Sequence, residues 1–192
     1  MSTKDQIITA ADELFYASSI REVSVERIAE KAGVTKKTLY YHFPSKDDLV
    51  AAYLEARHIP TLERYRSWAG SEGPLPDRIE RMFLRLASDA EKRTWKGCGF
   101  LRAAVELADM PGHPAIDVAR RHKTAFEHWL ADDIDRAGHP EAASLARIIM
   151  VLLDGAIARM LIQRDPQYAR DAARAARLVL ESQPAMAPMY TD

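Results

Sequence analysis

The sequence predicts an all-α protein. Apolar residues recur at spacings of three and four along nearly the whole chain, the period of one helix face. No alternating apolar–polar run meets an Asn-Gly or Asp-Gly turn, so strand pairing has no signal. Glycine and proline gather at short breaks (Gly33, Pro44, 70–76, 96–99, 111–114, 138–140 and 165–166) instead of scattering through the apolar runs.

Nine helices follow in order. Thr3 and Gln6 form a capping-box pair for the first, and Ile7, Ala10, Ala11, Leu14 and Phe15 give it an apolar stripe. The second runs from Ser24, as N-cap, to Ala32. Gly33 follows, suited to a left-handed turn past a helix end. The third spans Thr35 to Phe43 and stops at Pro44. Ser45 and Asp48 make a capping box that opens a long fourth helix, with Pro60 expected to kink it. After the 70–76 linker come helices over 77–95, 99–110, 114–137, 140–163 and 166–182, then a mildly low-complexity tail beyond Pro184. This divides the chain into residues 1–48, a three-helix N-terminal domain, and residues 49–185, a larger helical domain.

Composition sets bounds without naming a function. A chain of 192 residues holds one good-sized core or two small ones. At 47% hydrophobic and 29% charged it reads as globular rather than disordered. Its net charge of −1 gives no overall hint of nucleic acid. A single cysteine excludes an internal disulfide and suits a reducing cytoplasm. No basic start with an apolar run behind it marks a signal peptide. The greasiest stretch, Ile148–Ile162, is interrupted by Asp154 and Arg159 and falls short of the roughly 20 residues of a membrane span.

Residues 24–43 carry the functional signal. Helix, glycine turn and short helix is the arrangement that lays its second helix in a DNA major groove. Val25, Ile28, Ala29, Val34, Leu39 and Phe43 supply a small core that fixes the two helices. Lys37, Thr38 and Tyr41 are left facing outward, Lys36 projects from the helix start, and Tyr40 lies on the flank. Tyr40 either reaches a base or packs on Leu14 or Leu49. Between Lys31 and Lys46 there are four lysines (Lys31, Lys36, Lys37 and Lys46) and no carboxylate, a local positive patch. Phosphates need cations and N–H donors, and base edges need donors and methyls. Lys46 sits in the first turn of the fourth helix, where the dipole disfavours a cation and a bound phosphate would offset the cost. Ser24 serves as N-cap, phosphate contact or both.

The segment 23–52 resembles the DNA-binding domain of the TetR (tetracycline-repressor) family of transcriptional regulators. The resemblance rests on Val25–Ile28–Ala29, Ala32–Gly33–Val34, Thr38–Leu39–Tyr40–Tyr41–His42–Phe43 and Ser45–Lys46–Asp48–Leu49. It covers about residues 3–55, while 97–110 look like the start of the sixth helix of many members. It implies a sequence-specific DNA-binding regulator, by default a repressor, with a C-terminal ligand-binding and dimerisation domain. It assigns base reading to Lys36, Lys37, Thr38 and Tyr40, with Thr35 at the helix start. It assigns phosphate contacts to Tyr41, His42 and Lys46, and a backbone contact to Ser24. Val25 departs from the hydroxyl residue common there, so any contact would come from its main-chain N–H. Lys37 replaces a residue that is frequently small.

The second domain is expected to dimerise and to bind a small-molecule effector. The 140–163 helix is apolar all round and should be buried on most sides. Paired with the 166–182 helix, whose Arg170, Arg174 and Arg177 form one stripe, it would make a four-helix homodimer interface. Two recognition helices would then read a palindromic operator. Phe83, Trp95, Phe100, Phe126, Trp129 and Met150 are pocket candidates, although such residues at helical spacing also serve as plain core. Asp154 interrupts the apolar run; it pairs with Arg147, Arg159 or a partner subunit, or meets a ligand. Cys98, between two glycines, is either a buried small residue or a thiol activated at a helix start. His128 with Asp132 and His113 with Asp117 are i,i+4 pairs that lack a third metal ligand. No cofactor is implied. His-Glu-x-x-His, a glycine-rich phosphate loop and a nucleophile–base pair are all missing, which argues against an enzyme. An adaptor without DNA binding would have lost Lys36, Lys37, Tyr41 or Lys46, and all four are present.

Overall fold

Serines open the first two helices, and a threonine opens the third. In a computed structural model, which describes residues 1–182, the chain forms α1 (Thr3–Ala17), α2 (Val25–Ala32), α3 (Lys36–His42), α4 (Lys46–Ala69), α5 (Leu75–Ala90), α6 (Gly99–Glu106), α7 (Pro114–Arg136), α8 (Ala142–Gln163) and α9 (Gln167–Ser182). No strand occurs among the described residues. The tail beyond Pro184 lies outside them.

Ser2, not Thr3, caps α1. Its hydroxyl accepts the Asp5 N–H at 3.2 Å, and the Asp5 carboxylate accepts the Ser2 N–H at 2.9 Å. An acidic third residue answers the dipole as well as the cap, which a glutamine does not. Ser24 and Thr35 cap α2 and α3, accepting the N–H of Arg27 and Thr38. α4 continues through Pro60, which has no N–H to give Ala56; that carbonyl belongs to an exposed residue.

Two compact units emerge, and α4 and α7 each contribute to both. The first comprises residues 1–61 and 98–122, the second 62–97 and 123 onward. In the first, Ile7, Ala11, Phe15, Ile28, Leu39, Leu49 and Leu54 meet Phe100 and Leu107 in one core. In the second, α5 and α8 both pack on α9. Ile79, Met82 and Phe83 are fully buried on α5, and Ala169, Ala173 and Ala176 on α9. Alanines at this face let helix backbones approach closely.

Several expectations need correction. α5 begins two residues early, because Pro74 precedes the helix and Pro76 fits its first turn, where no N–H is needed. It also ends at Ala90 rather than 95. Lys92 pairs with Asp89 at 2.6 Å and the Trp95 N–H donates to the Lys92 carbonyl, so the chain turns and buries Trp95. α6 ends at Glu106 rather than 110, passing into a turn closed by the Met110 N–H on the Leu107 carbonyl.

α8 divides into a buried and an exposed face. Leu145, Ile149, Leu153, Ile157 and Met160 face inward, but Ile148, Val151 and Ile162 are 40%, 68% and 68% exposed. A helix apolar all round therefore buries only one side within its own chain. On α9 the expected arginine stripe is split. Arg170 pairs with Glu91 at 2.7 Å, Arg177 binds Asp77, Glu80 and Glu181, and the exposed Arg174 reaches only Asp171, at 4.0 Å, with Leu178 64% exposed. No helix among the described residues is long and apolar enough to cross a membrane.

Candidate nucleic-acid interface

The α2–turn–α3 segment is fixed from inside and from both ends. Gly33 takes φ 68°, ψ 30°, the left-handed conformation open to glycine at no steric cost. Its N–H and that of Val34 donate to the Ala29 and Glu30 carbonyls, closing the end of α2. Leu39 and Phe43 are buried together beneath α3. Lys36, Lys37, Tyr40 and Tyr41 are thereby left on the outer face, with Tyr41 84% exposed.

The predicted contact residues do not stand equally free. The Thr35 hydroxyl accepts the Thr38 N–H at 3.0 Å and lies 2.8 Å from the Thr38 hydroxyl, so both work first as a cap. The Ser24 hydroxyl accepts the Arg27 N–H at 3.2 Å. Tyr40, 41% exposed, lies beneath the Lys36 ammonium at 5.8 Å rather than packing in the core. Tyr41 and His42 meet edge to face at 5.2 Å. The Lys46 ammonium donates weakly to the Arg21 carbonyl at 3.4 Å, and burial lowers its pKa against the opposing pull of Glu106 and Asp47.

The lysine patch is less positive than its sequence. Lys36 pairs with Glu26 and Lys31 with Glu13, both carboxylates from other helices. The hydrogen bond between Lys36 and Glu26 raises the lysine pKa and lowers the glutamate's. Lys37 is in no ion pair among the described residues.

Sequence reasoning missed the residues that hold this segment in place. Glu106 on α6 accepts the backbone N–H of Ile20 at 3.1 Å and of Arg21 at 2.6 Å, just before α2. Arg21 returns a bond to the Glu106 carbonyl and pairs with Asp109. Arg102, one turn before Glu106, donates to the Tyr16 and Ser18 carbonyls at 2.9 and 2.6 Å, satisfying groups at the end of α1. Arg57 binds Asp12 at 2.6 Å and lies over the Tyr16 ring at 4.5 Å. Beside it, burial pushes the Tyr53 hydroxyl up to about 12. The signal available was Arg102 and Glu106 at i,i+4 on a short helix, but their partners lie more than 80 residues away.

The effector candidates divide between the units. Phe83, Trp95, Phe126, Trp129 and Met150 are buried in the second, where Phe126 meets Trp129 at 5.2 Å and Tyr65 at 5.0 Å. Phe100 belongs to the first, stacked on His122 at 3.6 Å; His122 also approaches His58, Nδ1 to Nδ1, at 3.1 Å. Asp154 pairs with Lys123, not with Arg147 or Arg159, which bind Glu127 and Tyr168. A lysine 31 positions away leaves no periodic trace. His113 and Asp117 do not pair either. His113 Nδ1 accepts the Ala115 N–H and its Nε2 faces Asp47 at 3.3 Å, while Asp117 binds Arg120. No group of three His, Cys, Asp or Glu residues able to hold a metal occurs among the described residues. Cys98 is half-buried just before α6.

Residues 7–53 match the family model described as bacterial regulatory proteins, tetR family. The chain is 43% identical over 177 residues to a probable HTH-type transcriptional regulator, ArpR, of Pseudomonas putida, covering 85% of this chain and 82% of that one. It is 28% identical over 177 residues, with the same coverage, to the HTH-type transcriptional regulator TtgR, also of Pseudomonas putida. The crystal structure of a TetR-family transcriptional regulator from Streptomyces coelicolor superposes with a TM-score of 0.82 at 26% identity, covering 94% of this chain and 95% of that one.

Proposed function

Because the chain belongs to the TetR family of bacterial transcriptional regulators, whose members bind DNA through this helix-turn-helix, we propose that it is a cytoplasmic homodimeric repressor. A small-molecule effector would set its affinity for a palindromic operator. The observation that carries the DNA-reading part is the outer face of α3. Lys36, Lys37, Tyr40 and Tyr41 are held outward by buried Leu39 and Phe43. Lys36, Lys37, Thr38 and Tyr40 read bases, with Thr35 a further DNA contact at the helix start; Tyr41, His42, Lys46 and the start of α2 at Ser24 hold phosphates.

Residues 1–48 supply the reading head and 49–185 the dimer and effector functions, with 183–185 outside the described residues. The dimer reading rests on Ile148, Val151, Gly155 and Ile162, exposed at spacings of three, four and seven on α8, with Leu178 on α9. An apolar seam of that period suits a second copy of the same helix. The effector would sit among Phe83, Trp95, Phe126, Trp129 and Met150, with Phe100 and Asp154 as further candidates. By preferring one packing there it would move α4 and change the spacing of the two recognition helices. It shifts operator affinity only by its difference in affinity between the two packings.

Selection from a randomised duplex library at fixed salt tests this reading. Recovery of one palindrome, lost or altered by Lys37→Ala, supports it. No enrichment, or enrichment indifferent to substitutions on α3, overturns base reading and favours an adaptor. Placing the recovered operator before a reporter then separates repression from activation.

A further inference from the structure

The second unit holds a cleft of about 370 Å³ between the α5–α6 connection and the turn from α8 to α9, lined by Arg93, Trp95, Met160, Arg164 and Pro166 among others. We propose that this cleft binds a small aromatic carboxylate, held by Arg93 and Arg164 above Trp95 and Met160. The proposal goes beyond the effector reading. Of those seven candidates only Trp95 lines the cleft, and binding here requires neither the aromatic core nor DNA.

Arg164 is the first reason. It has φ 57°, ψ 30°, and is the sole non-glycine with positive φ among the described residues; the other positive-φ positions are glycines. Glycine caps a helix in this conformation without steric cost, whereas a side chain there is strained. A strained arginine among the residues that line a cleft points to use of its guanidinium there.

Charge is the second. Of the charged groups around the cleft, Lys92 is paired with Asp89 at 2.6 Å and Glu91 with Arg170 at 2.7 Å. Asp165 accepts the Gln167 N–H at 2.8 Å. Arg93 and Arg164 are in no ion pair or hydrogen bond of their side chains among the described residues. With Lys92 and Glu91 already paired, two guanidiniums stand against the single carboxylate of Asp165, which leaves the cleft short of one anion, and arginine's planar fork matches a carboxylate. The floor is the third. Trp95 and Met160, 8% and 2% exposed, offer an apolar edge and a polarisable sulfur suited to a flat ring rather than to an inorganic ion. The volume fits a one- or two-ring ligand.

Calorimetric titration of the full chain with 2-naphthoate tests the site, with the neutral 2-naphthalenemethanol as control. Saturable naphthoate binding is expected, weakened about tenfold in Arg93→Ala and in Arg164→Gly, with the alcohol bound about tenfold more weakly than the acid. Arg164→Gly relieves the strained backbone, so its melting temperature should equal or exceed the wild type's, which separates lost binding from lost folding. Naphthoate affinity unchanged in Arg164→Gly, equal affinity for the alcohol, or no saturable heat with the wild type overturns the proposal. Loss of binding in Trp129→Phe with none in either arginine variant also overturns it, and moves the ligand to the aromatic core while leaving the effector reading intact.

Discussion

α3 and α8 both present residues that the folded chain does not use internally, and they do so in opposite ways. α3 is seven residues long, polar outside, and held by two buried side chains and a threonine cap. α8 is 22 residues long, and its outer seam is Ile148, Val151 and Ile162. Water solvates the first face well, and part of its charge is already matched by Glu26. Water solvates the second badly, at roughly 25 cal/mol for each Å² of apolar surface left exposed. A face of the first kind waits for a partner it binds reversibly through ions. One of the second kind is unfavourable until covered, so under the proposed dimer reading dimerisation is the stronger commitment and DNA binding the adjustable one.

The largest effect should come from charging the α8 seam. Val151→Glu is expected to yield monomers in sedimentation and to weaken operator binding by about 100-fold or more, equivalent to roughly 2.7 kcal/mol. A variant that remains dimeric would remove α8 from the interface and break the comparison. Next comes Glu106→Ala, which strips the acceptor from the Ile20 and Arg21 amides. The Ile20 donor is part-buried and the Arg21 donor exposed, and losing a charged acceptor shared by both costs about 1–3 kcal/mol. The thermal midpoint should fall and exchange of those two amides should quicken, while the dimer persists.

On α3 itself, Lys37→Ala should cost about 1–3 kcal/mol at particular base pairs, whereas Lys46→Ala should weaken all sequences alike and reduce the salt slope by about 1. Lys36→Ala should do less than Lys37→Ala, because Lys36 leaves Glu26 before it can serve DNA. Smallest and opposite in sign is Glu26→Gln. It frees Lys36 and removes a negative charge near the backbone, so operator affinity should rise a few-fold at low salt and converge with the wild type at high salt. A loss of affinity would mean that Glu26 orients Lys36 instead of competing with DNA for it.

The same comparison explains what was legible beforehand. The local signals that shape α2 and α3 lie within 20 residues: the Ser24 and Thr35 caps, Gly33, and the Leu39–Phe43 step. Local pattern therefore gave both helices to within a residue. α8 was legible as a helix, but which of its faces its own chain covers was not, because periodicity counts apolar residues without saying which chain covers them. Partners far along the chain were invisible. Glu26 for Lys36, Lys123 for Asp154, and Glu106 for the Ile20 and Arg21 amides meet only after folding. Charge counted along a window thus overstated the lysine patch. Ser2 displaced Thr3 for a different reason, since two overlapping capping boxes competed and the one with a carboxylate at its third position prevailed.

The Glu106 bridge also bears on transplantation. A cut after residue 48 looks natural for moving this DNA-binding head onto another scaffold, yet it would leave the Ile20 and Arg21 amides and the carbonyls of Tyr16 and Ser18 without the acceptor and donor that α6 provides. The compact unit that holds these partners together is discontinuous: residues 1–61 together with 98–122. A chimera that carries both pieces should keep the link between α1 and α2 fixed, and one built from the first alone should bind its operator more weakly because that link is loosened.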